Sequence, residues 1–386
     1  MMLFIRILAA VLAWLAAFIP YRGGEKTLEY DHFTLEAYMT PIWRGHTVYN
    51  ETLMFVCDEN GAVEPAPLLY EPIKILSVRS FDLQTEYTPG VDYTVAGGRI
   101  ALTENSRIPR WQYADYYPPQ AIPGGSFERT GGGYLSFGEG DTYFKTQVAV
   151  TYEHNGVWKG PVPSYRGDKL KKTVAKLKNG EELRIVFYGD SITTGANSSN
   201  TQAPYAPIWT TLVTRSLAAA YDNPNIVEIN TAVGGTTSSW GVENARELAA
   251  AHDPDLVVLA FGMNDAGKSA AEYGWNISRI ICRVRQSNKD AEFILVSPML
   301  PNREAKGFFG NQGSFENALE QLDCLWEGVA VAPVWSMHEY MLKTKRYYDM
   351  TGNNVNHPND YLARVYAQTT AALLTEPERS IWNESE

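Results

Sequence analysis

From Leu183 onward the chain alternates between short, unbroken apolar runs and stretches of helical periodicity, and this alternation limits its fold more than any other feature. The runs are 183–188 (LRIVFY), 226–231 (IVEINT), 256–261 (LVVLAF), 292–297 (EFILVS) and 329–334 (VAVAPV). Helices are expected at 205–221, 241–252, 272–286, 315–327, 336–345 and 360–374. A strand that is apolar along its whole length must be covered on both faces, so five of them imply an α/β fold: a parallel sheet with helices on both sides. In such a sheet, functional groups gather beyond the carboxyl ends of the strands.

The preceding part has a different rhythm. Between Leu28 and Tyr165, apolar runs at 53–56, 73–78 and 146–152 are separated by turn signals: Asn60-Gly61, Pro89-Gly90, Gly97-Gly98 and Gly131-Gly132-Gly133. Short strands at that spacing predict an all-β sandwich or jelly roll. The division that follows is an apolar N-terminal segment (1–22), a β domain (28–165), a connector (166–182) and an α/β domain (183–376). The connector holds a short lysine-rich amphipathic helix whose charges read as a solvated face.

A net charge of −11 argues against nucleic acid as a partner. Three scattered cysteines and six histidines without a His/Cys cluster offer neither a disulfide framework nor a metal site, and no cofactor motif is present. The apolar run from Ile7 to Ile19 behind Arg6 has the length of a signal-peptide core. It predicts a secreted or cell-envelope protein, with membrane contact only if residues 1–20 are retained.

The strand ends put chemistry on one rim. The first apolar run stops at Gly189-Asp190-Ser191, the second leads to Gly234-Gly235, the third ends at Gly262-Met263-Asn264-Asp265, and His357-Pro358-Asn359 comes just before the last helix. Taken singly, Ser191 is an N-cap and Asn264 a turn residue; four such groups on one rim call for another account. In order and placement they resemble the Ser, Gly, Asn and His blocks of the SGNH (GDSL-like) hydrolase family, over roughly residues 183–374. That resemblance implies a five-stranded, flavodoxin-like sheet, Ser191 as nucleophile and His357 as its base. It also implies an oxyanion hole formed by the backbone N–H groups of Ser191 and Gly235 and the Asn264 amide. Gly234 is the alternative to Gly235, and Asp190 falls in a supporting position that ties loop amides.

One position departs from the family pattern. Three residues before the histidine the family carries an acid, and this chain carries Asn354. Three arrangements are then open: Asn354 or a backbone carbonyl orients His357 in a Ser–His dyad, Asp349 or Asp360 supplies a shifted carboxylate, or the site is crippled. The first is the expectation. His252 and His338 read as a helix-end and a helix-core residue, and Trp209, Trp240 and Trp275 as packing, with Trp240 the best candidate for a pocket wall.

A β domain ahead of an SGNH domain resembles the layout of certain carbohydrate esterases. The implied function is a serine esterase acting on O-acyl, chiefly O-acetyl, groups of carbohydrate through an acyl-serine intermediate. Two alternatives compete with it. One is a lipase- or thioesterase-like hydrolase of longer acyl chains, with Phe308 and Phe309 of the 298–314 loop supplying an apolar pocket. The other is a carbohydrate-binding protein with a decayed site.

Overall fold

The computed structural model describes residues 34–379, and the apolar segment 1–22 lies outside them. Among the described residues the N-terminal half contains two short helices, α1 (Leu35–Met39) and α2 (Tyr113–Tyr116). Its strands are β1 (Thr47–Met54), β2 (Ala66–Pro67), β3 (Pro72–Ser80), β4 (Tyr93–Ala96), β5 (Arg99–Leu102), β6 (Ser126–Glu128), β7 (Tyr134–Ser136) and β8 (Gln147–His154). They pair antiparallel in three small sheets, ordered β1-β8-β3, β2-β5-β4 and β6-β7. The β4–β5 hairpin turns on Gly97 and Gly98, both at positive φ (+54° and +72°), the backbone that a two-residue turn of matching twist requires.

Strand β1 begins at Thr47, well ahead of the apolar run at 53–56. It includes Glu51, which is wholly buried and accepts hydrogen bonds from the Lys345 ammonium, the Leu69 N–H and the Tyr152 hydroxyl. Hydrophobic patterning cannot detect a strand whose buried acid is matched by a cation almost 300 residues away.

Helix α3 (Lys171–Asn179) follows in the connector. No side chain of its own caps it; instead the Glu292 carboxylate accepts the N–H groups of Lys172 and Thr173 at 3.0 and 2.8 Å. A carboxylate there satisfies two orphan donors and faces the positive end of the helix dipole. Among the connector's lysines, Lys169 is partnered with Asp323, Lys172 with Asp290 and Lys176 with Asp255.

The five apolar runs form strands β9 (Leu183–Gly189), β10 (Ile226–Asn230), β11 (Leu256–Ala260), β12 (Glu292–Val296) and β13 (Val329–Ala332). They make one parallel sheet in the order β10-β9-β11-β12-β13. Its helices are α4 (Trp209–Tyr221), α5 (Ser238–Leu248), α6 (Ala270–Ser287), α7 (Phe315–Leu325), α8 (Val334–Met341) and α9 (Asp360–Ala372). Helix α4 starts later than its periodicity suggests because Tyr205 takes a left-handed backbone (φ +58°) and Pro207 disfavours the helical region for the residue before it. Helix α5 starts earlier, at a Thr237 cap whose hydroxyl accepts the Trp240 N–H.

Along each central strand the side chains alternate between two cores. Val186, Tyr188, Val257, Leu259, Phe293 and Leu295 pack with α5, α6 and α7. Ile185, Phe187, Val258, Ile294 and Val296 pack with α4, α8 and α9, and that cluster runs without a break into Leu53, Phe55, Val78, Val148 and Tyr152 of the β domain. The two halves therefore share a core, and polar ties cross between them. Arg364 donates to the Tyr49 and Asn50 carbonyls, and Gln368 to those of Tyr38 and Thr40.

Replacing Lys345 with Met strands the Glu51 carboxylate in that core. Chemical denaturation of Lys345→Met is expected to show a loss of about 3–5 kcal/mol, with the Glu51→Gln/Lys345→Met pair closer to wild type than the single variant.

Candidate active site

Strand β9 ends where it approaches β11 closely: a Cβ on Gly189 would stand 2.5 Å from the Ala260 carbonyl oxygen, so no larger residue fits. The chain then passes through Asp190 and Ser191 into consecutive turns, rather than into a helix. The N–H groups of Thr193 and Thr194 bond the Asp190 carbonyl at 3.0 and 3.2 Å, and that of Ala196 bonds the Ser191 carbonyl at 3.0 Å. Two neighbours fasten these turns: Trp209 donates through Nε1 to the Ile192 carbonyl (2.9 Å), and Asn230 through Nδ2 to that of Thr193 (2.7 Å).

Ser191 Oγ lies 2.8 Å from His357 Nε2, with both side chains largely buried at the rim. The other ring nitrogen, Nδ1, is 2.6 Å from Asn197 Oδ1. An amide oxygen only accepts, so Nδ1 carries the proton and Nε2 presents its lone pair to the serine hydroxyl. Asn353 Nδ2 is also 3.0 Å from Nδ1, but with that nitrogen protonated it serves Asn356 Oδ1, at the same distance. Burial pushes the His357 imidazolium below the usual histidine range, and the Glu139 carboxylate opposes that shift. The ring is therefore neutral, and basic, at neutral pH.

The Nδ1 partner differs from the sequence expectation. Asn354, at φ +71°, points away from the ring: its Oδ1 accepts the Tyr116 hydroxyl (2.7 Å) and its Nδ2 donates to the Ser136 carbonyl (3.0 Å). Asn tolerates that left-handed backbone better than most residues, so its place is set by conformation and by β-domain contacts. Neither nearby aspartate replaces it. Asp349 accepts from Arg346 and from the Met54 N–H, while Asp360 holds the N–H and hydroxyl of Ser199. Through Ser199, Asp360 steadies the loop that carries Asn197. Gly352 lets that loop close in, since a Cβ there would lie 2.6 Å from the Asn197 Cβ.

The two remaining blocks meet beside Ser191. A Cβ on Gly234 would be 3.7 Å from the Ser191 Cβ, and Gly235 follows at φ +75°. Asn264 gives one of its two amide hydrogens to the Thr236 carbonyl (2.9 Å), which draws the side chain onto the same turn. Asp265 fixes the far end of the turn by accepting the Ser238 N–H and hydroxyl. Beneath the rim, Asp190 accepts the Ile192 N–H at 3.1 Å. Burial pushes its carboxyl up to about 7; the N–H groups of Ile192 and Met263 pull it down and the Asp265 charge adds to the rise.

Among the described residues no three His, Cys, Asp or Glu side chains converge to hold a metal ion. His338 is a core residue that accepts the Leu300 N–H through Nδ1. Trp240 is half-buried against Tyr188, and Trp275 is exposed. Asn197 and Asn353 were not among the residues singled out from the sequence. Asn197 sits 160 positions from the histidine it meets, and no motif spacing links the two.

Residues 187–365 match the GDSL-like Lipase/Acylhydrolase family. Among solved structures the chain is similar to a two-domain esterase (CEX) active on acetylated mannans, at 20% identity over 59% of this chain and 56% of that one, with a TM-score of 0.44. It is also similar to a catalytic mutant of Axe2, an acetylxylan esterase from Geobacillus stearothermophilus, at 17% identity over 50% and 94% of the two chains, TM-score 0.42. A third is LAE5, an alpha/beta hydrolase enzyme from the metagenome of Lake Arreo, Spain, at 17% identity over 50% and 98%, TM-score 0.41. The chain thus spans little more than half of the two-domain esterase. No curated protein matches it.

Two substitutions separate the asparagines. Asn197→Ala removes the acceptor of Nδ1–H and is expected to lower kcat by about 10- to 100-fold, with the fold unchanged by circular dichroism. Asn354→Asp turns a donor to the Ser136 carbonyl into a buried negative charge. Denaturant titration is expected to show a loss of about 3 kcal/mol, and steady-state assay no gain in activity.

Proposed function

We propose that this chain, whose residues 187–365 match the GDSL-like lipase/acylhydrolase family, is a serine esterase that removes small acyl groups, acetyl foremost, from carbohydrate. The observation that carries the proposal is the relay Ser191 Oγ–His357 Nε2 (2.8 Å) and His357 Nδ1–Asn197 Oδ1 (2.6 Å). Ser191 Oγ attacks the ester carbonyl carbon while its proton passes to His357 Nε2. The oxyanion is received by the backbone N–H groups of Ser191 and Gly235 and by the free amide hydrogen of Asn264. As the bond from the carbonyl carbon to the sugar oxygen breaks, His357 protonates that oxygen and the sugar leaves as an alcohol. Water, deprotonated by the same nitrogen, releases the acid from Ser191.

The preference for a short acyl group is supported by how the 298–314 loop is used. Phe308 packs edge-on against Phe127 of the β domain (4.8 Å between centroids), and Phe309 lies under the Arg303 guanidinium (4.2 Å). Phe308 is thus engaged in packing, and the cavity that Phe309 lines with Arg303 and Trp335 includes none of Ser191, Gly235, Asn264 and His357, which argues against the longer-chain alternative. The carbohydrate assignment rests on the antiparallel β domain ahead of the hydrolase domain, a layout similar to that of carbohydrate esterases. Export to the envelope or beyond fits such a substrate and the apolar run 7–19. Among the described residues no helix is long and apolar enough to cross a membrane.

Hydrolysis of 4-nitrophenyl acetate, butyrate and octanoate tests the reading. Acetate is expected to turn over fastest, and Ser191→Ala to abolish all three activities. A preference for octanoate would instead favour a lipid substrate, and activity surviving in Ser191→Ala would remove Ser191 as the nucleophile.

A further inference from the structure

A histidine that takes a proton from serine becomes a cation in a largely buried place, and within its own loop it has only amides for company. Four elements surround the ring: the end of β9 with Ser191, the loop carrying Asn197, the histidine's own loop with Asn353 and Asn356, and residues 137–141 of the β domain. Only the last brings a charge. Glu139 Oε2 lies 3.9 Å from His357 Nδ1, and its Oε1 is 3.5 Å from Asn353 Nδ2. Asp190 faces the Ile192 N–H, Asp349 faces Arg346 and Asp360 faces Ser199. The loop that presents Glu139 is closed by the Thr142 hydroxyl, which donates to the Glu139 carbonyl at 2.9 Å.

We propose that Glu139, supplied by the β domain, is the negative partner of His357, so that the catalytic relay of the hydrolase domain is completed from outside it. The proposal rests on the esterase reading above. As the Ser191 O–H bond breaks and Oγ bonds to the carbonyl carbon, the proton moves to Nε2. The positive charge then spreads over a ring whose Nδ1–H faces both the Asn197 amide oxygen and the Glu139 carboxylate. Glu139 transfers no proton. It acts through His357, as a positioning residue. Its side chain is 56% exposed, so water screens the interaction and its effect is moderate. Sequence spacing could not reveal it, because the acid comes from 218 residues upstream (357 − 139).

The test is an NMR titration of the His357 imidazole in the full chain, its signals assigned by comparison with His357→Asn. The wild type is read beside Glu139→Gln and Glu139→Asp, with kcat and KM for 4-nitrophenyl acetate measured in parallel. Removing a nearby anion destabilises the imidazolium, so in Glu139→Gln the titration is expected at lower pH than in wild type. The acidic limb of kcat/KM should move with it. kcat is expected to fall by about 10-fold with KM unchanged, Glu139→Asp should lie between, and 1 M salt should shrink the difference in titration. An unchanged His357 titration in Glu139→Gln overturns the proposal, whatever happens to the rate. A wild type inactive on every ester would count against the esterase reading, and the titration would still decide the place of Glu139.

Discussion

The geometry of the rim depends on one amide oxygen that holds a loop shut. Asn353 Oδ1 accepts the N–H groups of Val355, Asn356 and His357 at 3.0–3.1 Å, and the Thr351 hydroxyl closes the same loop by donating to the His357 carbonyl at 2.9 Å. Three consecutive donors on one acceptor leave the segment little freedom, and its conformational entropy is lost on folding rather than on binding substrate. With the loop fixed, the imidazole needs only a hydrogen bond on each nitrogen to be aimed and tautomerically defined. Ser191 and Asn197 provide those two.

The β domain is the bed on which this loop is laid. Gln147 of β8 donates to the Thr351 carbonyl and accepts from Asn359, while Tyr116 and Ser136 grip Asn354. Arg346 and Asp349, just ahead of the loop, take both the carbonyl and the N–H of Met54 at the end of β1. All of these groups but the half-buried Arg346 are buried, so their bonds would cost desolvation if left unmade. The position that in the family pattern would carry the acid is here given over to anchoring the loop on its neighbour. The amide that faces His357 Nδ1 is instead that of Asn197, on the turns that follow Ser191.

How much of this could be read from the sequence follows from which forces act locally. The parallel sheet was legible because strands covered on both faces leave unbroken apolar runs; Ser191, Gly235 and Asn264 were placed by the strand ends they follow and His357 by the helix it precedes, and the structure brings Ser191 and His357 within 2.8 Å. The extent of β1 was not legible, because Glu51 looks like a surface acid until Lys345 is found beside it. Asn354 was expected at the histidine because a spacing rule put it there. Its left-handed backbone and the Tyr116 contact, which decide where it points, exist only in three dimensions. Asn197 and Glu139 reach His357 across 160 and 218 positions, distances at which an unaligned sequence carries no pairing signal.

The unbroken apolar cluster that joins Leu53, Phe55 and Val148 to Phe187, Val258 and Tyr361 has a consequence for how such a protein can evolve. Modules joined by a thin linker can be shuffled, duplicated or discarded, because each brings its own interior. Here the seam is core, so recombination at the connector would bare apolar surface on both fragments. The pair is inherited as one cooperative unit, and a substitution in either half is felt through the same folding equilibrium. Divergence is then left to the exposed loops, where insertions leave that interior intact.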